Sequence, residues 1–218
     1  MADIKAVIFD LDGVIVSTDE LHFQAWKKLA DAEGIPFDRE DNERLRGVSR
    51  MESLEIILEK SDRDYSDEEK IEMATRKNDM YRESLKTLSP SDILPGVMSL
   101  LDELKARGVK VAIGSSSRNA GAILAAIGLA DAFDAIVDGT HISRSKPDPE
   151  VFAKGGEQLG LTPQKCLVVE DAMSGVDAGL AAGMPVLAVG GAVEHPDATL
   201  RAPDLAGMTA EEMLSGTR

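Results

Sequence analysis

A single cysteine, Cys166, stands in 218 residues, so no disulfide framework and no cysteine zinc site can be built. Long apolar runs are missing too. No stretch approaches the about 20 residues that span a bilayer, and no basic region followed by an apolar core and a small-residue cleavage site opens the chain. Membrane insertion and secretion are therefore not expected, and a reducing cytoplasm fits. Basic residues are scarce: 24 lysines and arginines face 39 aspartates and glutamates, for a formal net charge of -15. Such a surface repels a polyanion, so nucleic acid is not an expected partner. A small anionic ligand stays possible, because a metal and a few local cations reverse the field inside a cleft. Repeats and low-complexity tracts are absent, and a monomer is expected.

What is present is 43% hydrophobic residues, enough for a core, in a length that suits one large domain or one domain with an insertion. Five short apolar runs read as strands, at 5–9, 109–113, 135–137, 166–169 and 185–189. Each is nearly continuous, as expected when both faces of a sheet are covered. Helical patterns alternate with them. Val97, Leu100, Leu101 and Leu104 share one face ahead of Gly108. Asp148-Pro149 predicts an N-cap with proline at the first helical position, and Gly160 the stop. This alternation predicts an α/β fold with a Rossmann-like, doubly wound parallel sheet.

Residues 17–88 break the rhythm with helical patterns only. Capping-box spacing recurs at Ser17–Glu20, Ser49–Glu52 and Ser66–Glu69. The pattern predicts an α-helical cap, 17–88, inserted into a core made of 1–16 and 89–218, with hinges near 13–18 and 89–96. An insertion after the first strand overhangs the carboxyl ends of the strands, where open α/β sheets bind ligands.

Chemistry gathers at those same strand ends. Asp10 and Asp12 close the first run and, two apart, leave a strand on one side. Gly13 permits a sharp turn after them. Two anions that close call for a divalent metal, a protonated carboxylate, or both. Ser115, Ser116 and Ser117 follow the second strand, where small hydroxyl residues can hold phosphate oxygens. Lys146 lies in a proline-stiffened loop after the third, and Glu170-Asp171 follow the fourth as hard-cation ligands. Carboxylates, hydroxyls and a lysine at four strand ends fit phosphoryl transfer to a carboxylate. A carboxylate attacking a phosphate dianion meets repulsion of roughly 4 kcal/mol per charge pair at about 4 Å and an effective dielectric of 20. A magnesium ion and a lysine would offset it.

Ile8–Val14, the Ser115 region, Lys146-Pro147 and Glu170-Asp171 together resemble the four ordered motifs of the haloacid dehalogenase superfamily of phosphotransferases. The resemblance implies Asp10 as the nucleophile that becomes an aspartyl phosphate and Asp12 as general acid and base. It implies Ser115 holding the transferring phosphate and Lys146 neutralising charge. Mg²⁺ would sit on Asp10, Asp171, neighbouring Glu170 and the main-chain carbonyl of Asp12. The cap is similar to that of the β-phosphoglucomutase branch, on the strength of His22 and Trp26, of 46–50 (RGVSR), of 76–78 (RKN) and of 89–96. That likeness implies Gly47, Val48 and Arg50 gripping the phosphate that is not transferred. It also implies His22, Lys77, Thr18 and Trp26 placing Asp12, and Ser117, Arg118 and Asn119 touching the second phosphate and the sugar. Lysine is usual in that branch where Arg46 and Arg118 stand here. The implied activity is an intramolecular phosphotransfer, interconverting β-D-glucose 1-phosphate and glucose 6-phosphate through a phospho-aspartyl enzyme and a hexose bisphosphate. A magnesium-dependent sugar-phosphate phosphatase is the alternative.

Overall fold

A computed structural model describes residues 3–216. Its sheet has six parallel strands in the order β3-β2-β1-β4-β5-β6. They are β1 (Ala6–Phe9), β2 (Lys110–Gly114), β3 (Ala135–Val137), β4 (Cys166–Glu170), β5 (Val186–Ala188) and β6 (Leu200–Arg201). The five predicted runs are all strands, shifted by a residue or so at their ends. The short edge strand β6 was not anticipated, since it has neither length nor an apolar run.

Alternate residues of each strand enter opposite layers. Val7, Phe9, Val111, Ile113, Leu167 and Val169 pack with Leu100, Leu101 and Leu104 of the helix Val97–Ala106. Ala6, Ile8, Ala112 and Val168 pack with Val151 and Phe152 of the helix Glu150–Leu159. Burial on both faces is why these strands read as unbroken apolar runs. The helix over the second layer begins one residue later than the sequence suggested. Pro149 is its N-cap, and Asp148 stands just outside, with Oδ1 accepting from Glu150 N at 3.0 Å.

The segment 17–88 is helical, with α1 (Asp19–Glu33), α2 (Arg39–Glu43), α3 (Arg50–Leu58) and α4 (Asp67–Ser84). It has its own apolar cluster, which includes Trp26, Leu29, Phe37, Leu54, Ile57 and Met73. The capping boxes at Ser49/Glu52 and Ser66/Glu69 form as read. The one expected at the start of α1 does not: Thr18 is the N-cap residue, and its side chain makes no cap bond because it is committed elsewhere. The two chain crossings between segments run side by side, with Val16 bridged to Ile93 and Leu94 N donating to Ile15 O at 2.9 Å. No helix among the described residues is long and apolar enough to cross a membrane.

Candidate active site

The strand order reverses beside β1, and its carboxyl end opens into a cleft of about 680 Å³ roofed by the helical segment. Asp10 follows β1 directly. Its N–H still donates to Val169 O at 2.9 Å, so the sheet fixes its backbone while its side chain clears the sheet edge. Lys146 is almost fully buried, and its Nζ donates to Asp10 Oδ1 and Glu170 Oε1 at 2.6 Å each. Burial opposes the lysine charge, but the two carboxylates outweigh it and hold its pKa above the ordinary value.

One ammonium cannot balance what surrounds it. Oxygens of Asp10, Glu170 and Asp171 lie within 4.8 Å of one another. Burial pushes Asp10 and Asp171 above the usual carboxylate range; Lys146 partly offsets this for Asp10, and Glu170 adds to it for both. A cation would relieve the crowding, and an all-oxygen carboxylate set suits a hard one. Glu170 is anchored, with Oε2 accepting from Asp171 N at 2.6 Å and Ala172 N at 3.0 Å. Asp171 is held more loosely, 3.4 Å from Arg46 Nη1. Gly13, at φ +78°, lets the backbone turn directly beneath it: a Cβ there would stand 2.1 Å from Asp171 Oδ2. The residues present therefore fit Mg²⁺.

Asp12 points toward the cap. Its Oδ1 accepts from Thr18 N at 2.8 Å and from the Thr18 hydroxyl. Because that hydroxyl donates to Asp12, its oxygen is left to accept from the Tyr81 hydroxyl 2.9 Å away. Burial raises Asp12 to a pKa of about 6, with the Thr18 bonds pulling the other way. The opposite oxygen, Oδ2, faces His22 Nε2 at 3.9 Å. Lys77 Nζ lies 2.8 Å from His22 Nδ1, over the rings of Trp26 and Tyr81 at 4.5 and 4.8 Å. A lysine donating to Nδ1 leaves the ring proton on Nε2, aimed at Asp12. Burial lowers Lys77 to about 7, helped by Arg50, and lowers His22 well below its ordinary value.

Arg50 opens α3 and Arg118 follows the serine turn after β2, and both line the cleft. Ser115 is buried, and its Oγ accepts from Ser117 N at 3.1 Å; Ser117 Oγ accepts from Asn119 N at 3.2 Å. The serines thus curl the loop so that the residues after it face the cap. Burial lowers the Arg50 pKa, and Arg118 adds to the effect as a like charge.

Every residue singled out from the sequence lines this cleft except Thr18, which is wholly buried behind Asp12. Trp26 touches the cleft while packing into the cap's own apolar cluster. Tyr81 was not anticipated, and Asn78 and Arg46, noted only as parts of cap motifs, make contacts that the sequence did not give. Tyr81 backs Thr18, and its place four residues after Lys77 on one helix face was the available signal. Asn78 Oδ1 accepts from Asn119 Nδ2 at 3.0 Å, tying cap to core. Arg46 reaches Asp19, Glu43 and Asp171.

The profile of the haloacid dehalogenase-like hydrolases matches residues 4–183. A β-phosphoglucomutase of Bacillus subtilis (strain 168) is 47% identical over 188 residues, 85% of this chain and 83% of that one. A "phosphorylated carbohydrates phosphatase" of Thermotoga maritima is 32% identical over 215 residues, 97% of each. The crystal structure of a β-phosphoglucomutase from Clostridium difficile superposes with a TM-score of 0.92 at 40% identity, covering 97% of this chain and 96% of that one. On the family match and these relatives, the chain belongs to the haloacid dehalogenase-like family of enzymes.

Proposed function

We propose that this enzyme interconverts β-D-glucose 1-phosphate and glucose 6-phosphate through a phosphorylated Asp10 and a β-glucose 1,6-bisphosphate. The observation that carries the reading is a second cationic end to the cleft. Arg50 and Arg118 line the cleft apart from the carboxylates that meet Lys146, close enough to act on each other and with no salt bridge to any carboxylate among the described residues. A phosphatase needs one phosphate site; a mutase needs two.

Phospho-Asp10 carries the phosphoryl group to be given. A sugar hydroxyl attacks its phosphorus, the O–P bond of the Asp10 acyl phosphate breaks to free the carboxylate, and Asp12 accepts the hydroxyl proton. The bisphosphate then turns end for end, so that the phosphate formerly held by Arg50, Ser117, Arg118 and Asn119 faces Asp10. The Asp10 carboxylate takes that group, and Asp12 returns its proton to the departing sugar oxygen. Ser115 and Lys146 hold and neutralise the transferring group. Asp10, Asp171, Glu170 and the Asp12 carbonyl would hold Mg²⁺, which would supply charge stabilisation on the transferring oxygens. Asp12, with its pKa near 6, is mostly ionised at neutral pH and ready to accept a proton. The cap places it through Thr18 and the Lys77–His22 pair.

The Thermotoga relative keeps hydrolysis of a sugar phosphate as the competing reading. Incubation with β-glucose 1-phosphate, Mg²⁺ and a trace of glucose 1,6-bisphosphate, followed by phosphorus NMR, separates the two. Conversion to glucose 6-phosphate without matching inorganic phosphate supports the mutase. Rapid phosphate release without isomerisation overturns it. Arg50→Ala is expected to abolish isomerisation while phosphorylation of Asp10 is less affected.

A further inference from the structure

Asp19 opens α1 and lines the cleft, yet it is not one of the three clustered carboxylates. Its Oδ2 pairs with Arg46 Nη2. Arg46 stands in the turn after α2, and three carboxylates share its one guanidinium. Asp19 and Glu43 belong to the cap. Asp171 belongs to the core, one residue past β4.

Cap and core meet closely here. A Cβ on Gly47 would stand 2.5 Å from Ser174 Oγ and 3.2 Å from Ala172 Cβ. The residue after Arg46 therefore lies against the start of the helix Met173–Ala181. A Cβ on Gly191 would stand 3.1 Å from Asp171 O and 3.6 Å from Arg46 Nη1, so the bare backbone at Gly191 makes room for the guanidinium.

The sharing is uneven. Glu43 Oε2 lies 3.1 Å from Arg46 Nε, whereas Asp171 Oδ2 lies 3.4 Å from Nη1. A full hydrogen bond between arginine and carboxylate runs about 2.7–2.9 Å and is often made in pairs. Arg46 thus only grazes Asp171 while the cap carboxylates hold it. Burial works against the Arg46 charge, and the carboxylates outweigh it, Asp19 most, then Glu43, then Asp171. Asp171 itself is raised by burial first, then by Glu170 and Asp10; Arg46 acts on it more strongly than Asp19 does. Asp19 therefore bears on Asp171 chiefly through Arg46.

We propose that Asp19 is a positioning residue for the metal site, drawing the Arg46 guanidinium toward the cap and so leaving the Asp171 carboxylate free for Mg²⁺. Without Asp19 the guanidinium keeps only Glu43 and Asp171 as partners. Its planar fork suits a carboxylate two bonds at a time, and closing on Asp171 it would engage oxygens that a metal needs. The role rests on Mg²⁺ binding at the carboxylate cluster and is the same for a mutase or a phosphatase.

A double-mutant cycle tests it. Isothermal titration with magnesium chloride, without sugar phosphate, compares wild type, Asp19→Asn, Arg46→Ala and the double variant. Asp19 is a partly exposed first-turn residue and asparagine keeps its shape, so the fold is retained. Asp19→Asn is expected to weaken Mg²⁺ binding about three- to tenfold while Arg46 is present. In the Arg46→Ala background the same change should cost less than about twofold. Equal losses in the two backgrounds would show Asp19 acting by its own charge and overturn the positioning role, as would no loss in either. Failure of the metal assignment looks different: wild type itself then takes up no Mg²⁺, and the role of Asp19 falls with it.

Discussion

Lys77 carries an ammonium into a place where aromatic rings, and no carboxylate, touch it. Its neighbours are His22 Nδ1 and the rings of Trp26 and Tyr81. Burial, with Arg50 adding to it, lowers its pKa from 10.5 to about 7. A lysine whose folded pKa is depressed destabilises the fold fully below that value, and the penalty fades as pH rises toward 10.5. Lys77→Met is therefore expected to raise the melting temperature by about 2–4 °C at neutral pH for each kcal/mol recovered. The gain should be largest at or below pH 7 and vanish toward pH 10.5, while turnover falls because His22 loses the donor that sets its tautomer. Melting curves across pH, beside a turnover assay, check both halves. The Tyr81–Thr18–Asp12 relay gives a second test at this scale. Thr18→Val removes the hydroxyl that anchors Asp12 and is expected to cut kcat about 10- to 100-fold, whereas Tyr81→Phe, one bond further out, should cost less than about tenfold. Both act through one contact, so the double variant should be no slower than Thr18→Val alone. Additive losses would show that Tyr81 acts by another route.

The strand-to-helix corners decide where charged groups stand, and the corner after β4 is the tightest. The helix Met173–Ala181 starts there, and a Cβ on Gly175 in its first turn would stand 1.7 Å from Glu170 Oε1. Gly175→Ala must push that carboxylate away from Lys146 and from the N–H groups of Asp171 and Ala172. Breaking a buried paired charge costs about 3–5 kcal/mol, so marked destabilisation and loss of the magnesium-induced rise in melting temperature are expected together. Thermal melts with and without Mg²⁺ read both. Elements of this kind were legible because their physics is local: doubly covered strands read as apolar runs, and the Ser49 and Ser66 caps declare themselves by spacing. The start of α1 was misread for an equally physical reason. Thr18 has the chemistry of a cap, but its hydroxyl is drawn to Asp12, a partner set by the tertiary fold. Strand β6 and the Asn78–Asn119 tie were not visible, since both exist only through pairings across distant segments.

Taken whole, the molecule is two apolar bodies joined by paired crossings, with a negatively charged site between them. Arg46 is the cap's cation at that site: half-exposed, pinned by Asp19 and Glu43, and 3.4 Å from Asp171. The three carboxylates outweigh its burial and hold its pKa above the ordinary arginine value, so it is charged at any working pH. It therefore competes electrostatically with any metal that Asp171 binds, across the boundary between cap and core. Two unit charges about 4 Å apart interact by up to about 4 kcal/mol at an effective dielectric of 20, and solvent around a half-exposed guanidinium screens much of that. Arg46→Ala is accordingly expected to tighten Mg²⁺ binding about three- to tenfold, read by isothermal titration. The same substitution removes a cap-to-core contact, so amide hydrogen exchange at the crossings 13–18 and 89–96 should quicken. Tighter metal with faster exchange is the signature of a cation that closes the cap by standing in the metal's field. Weaker Mg²⁺ binding would mean instead that Arg46 serves to hold Asp171 in its ligating position.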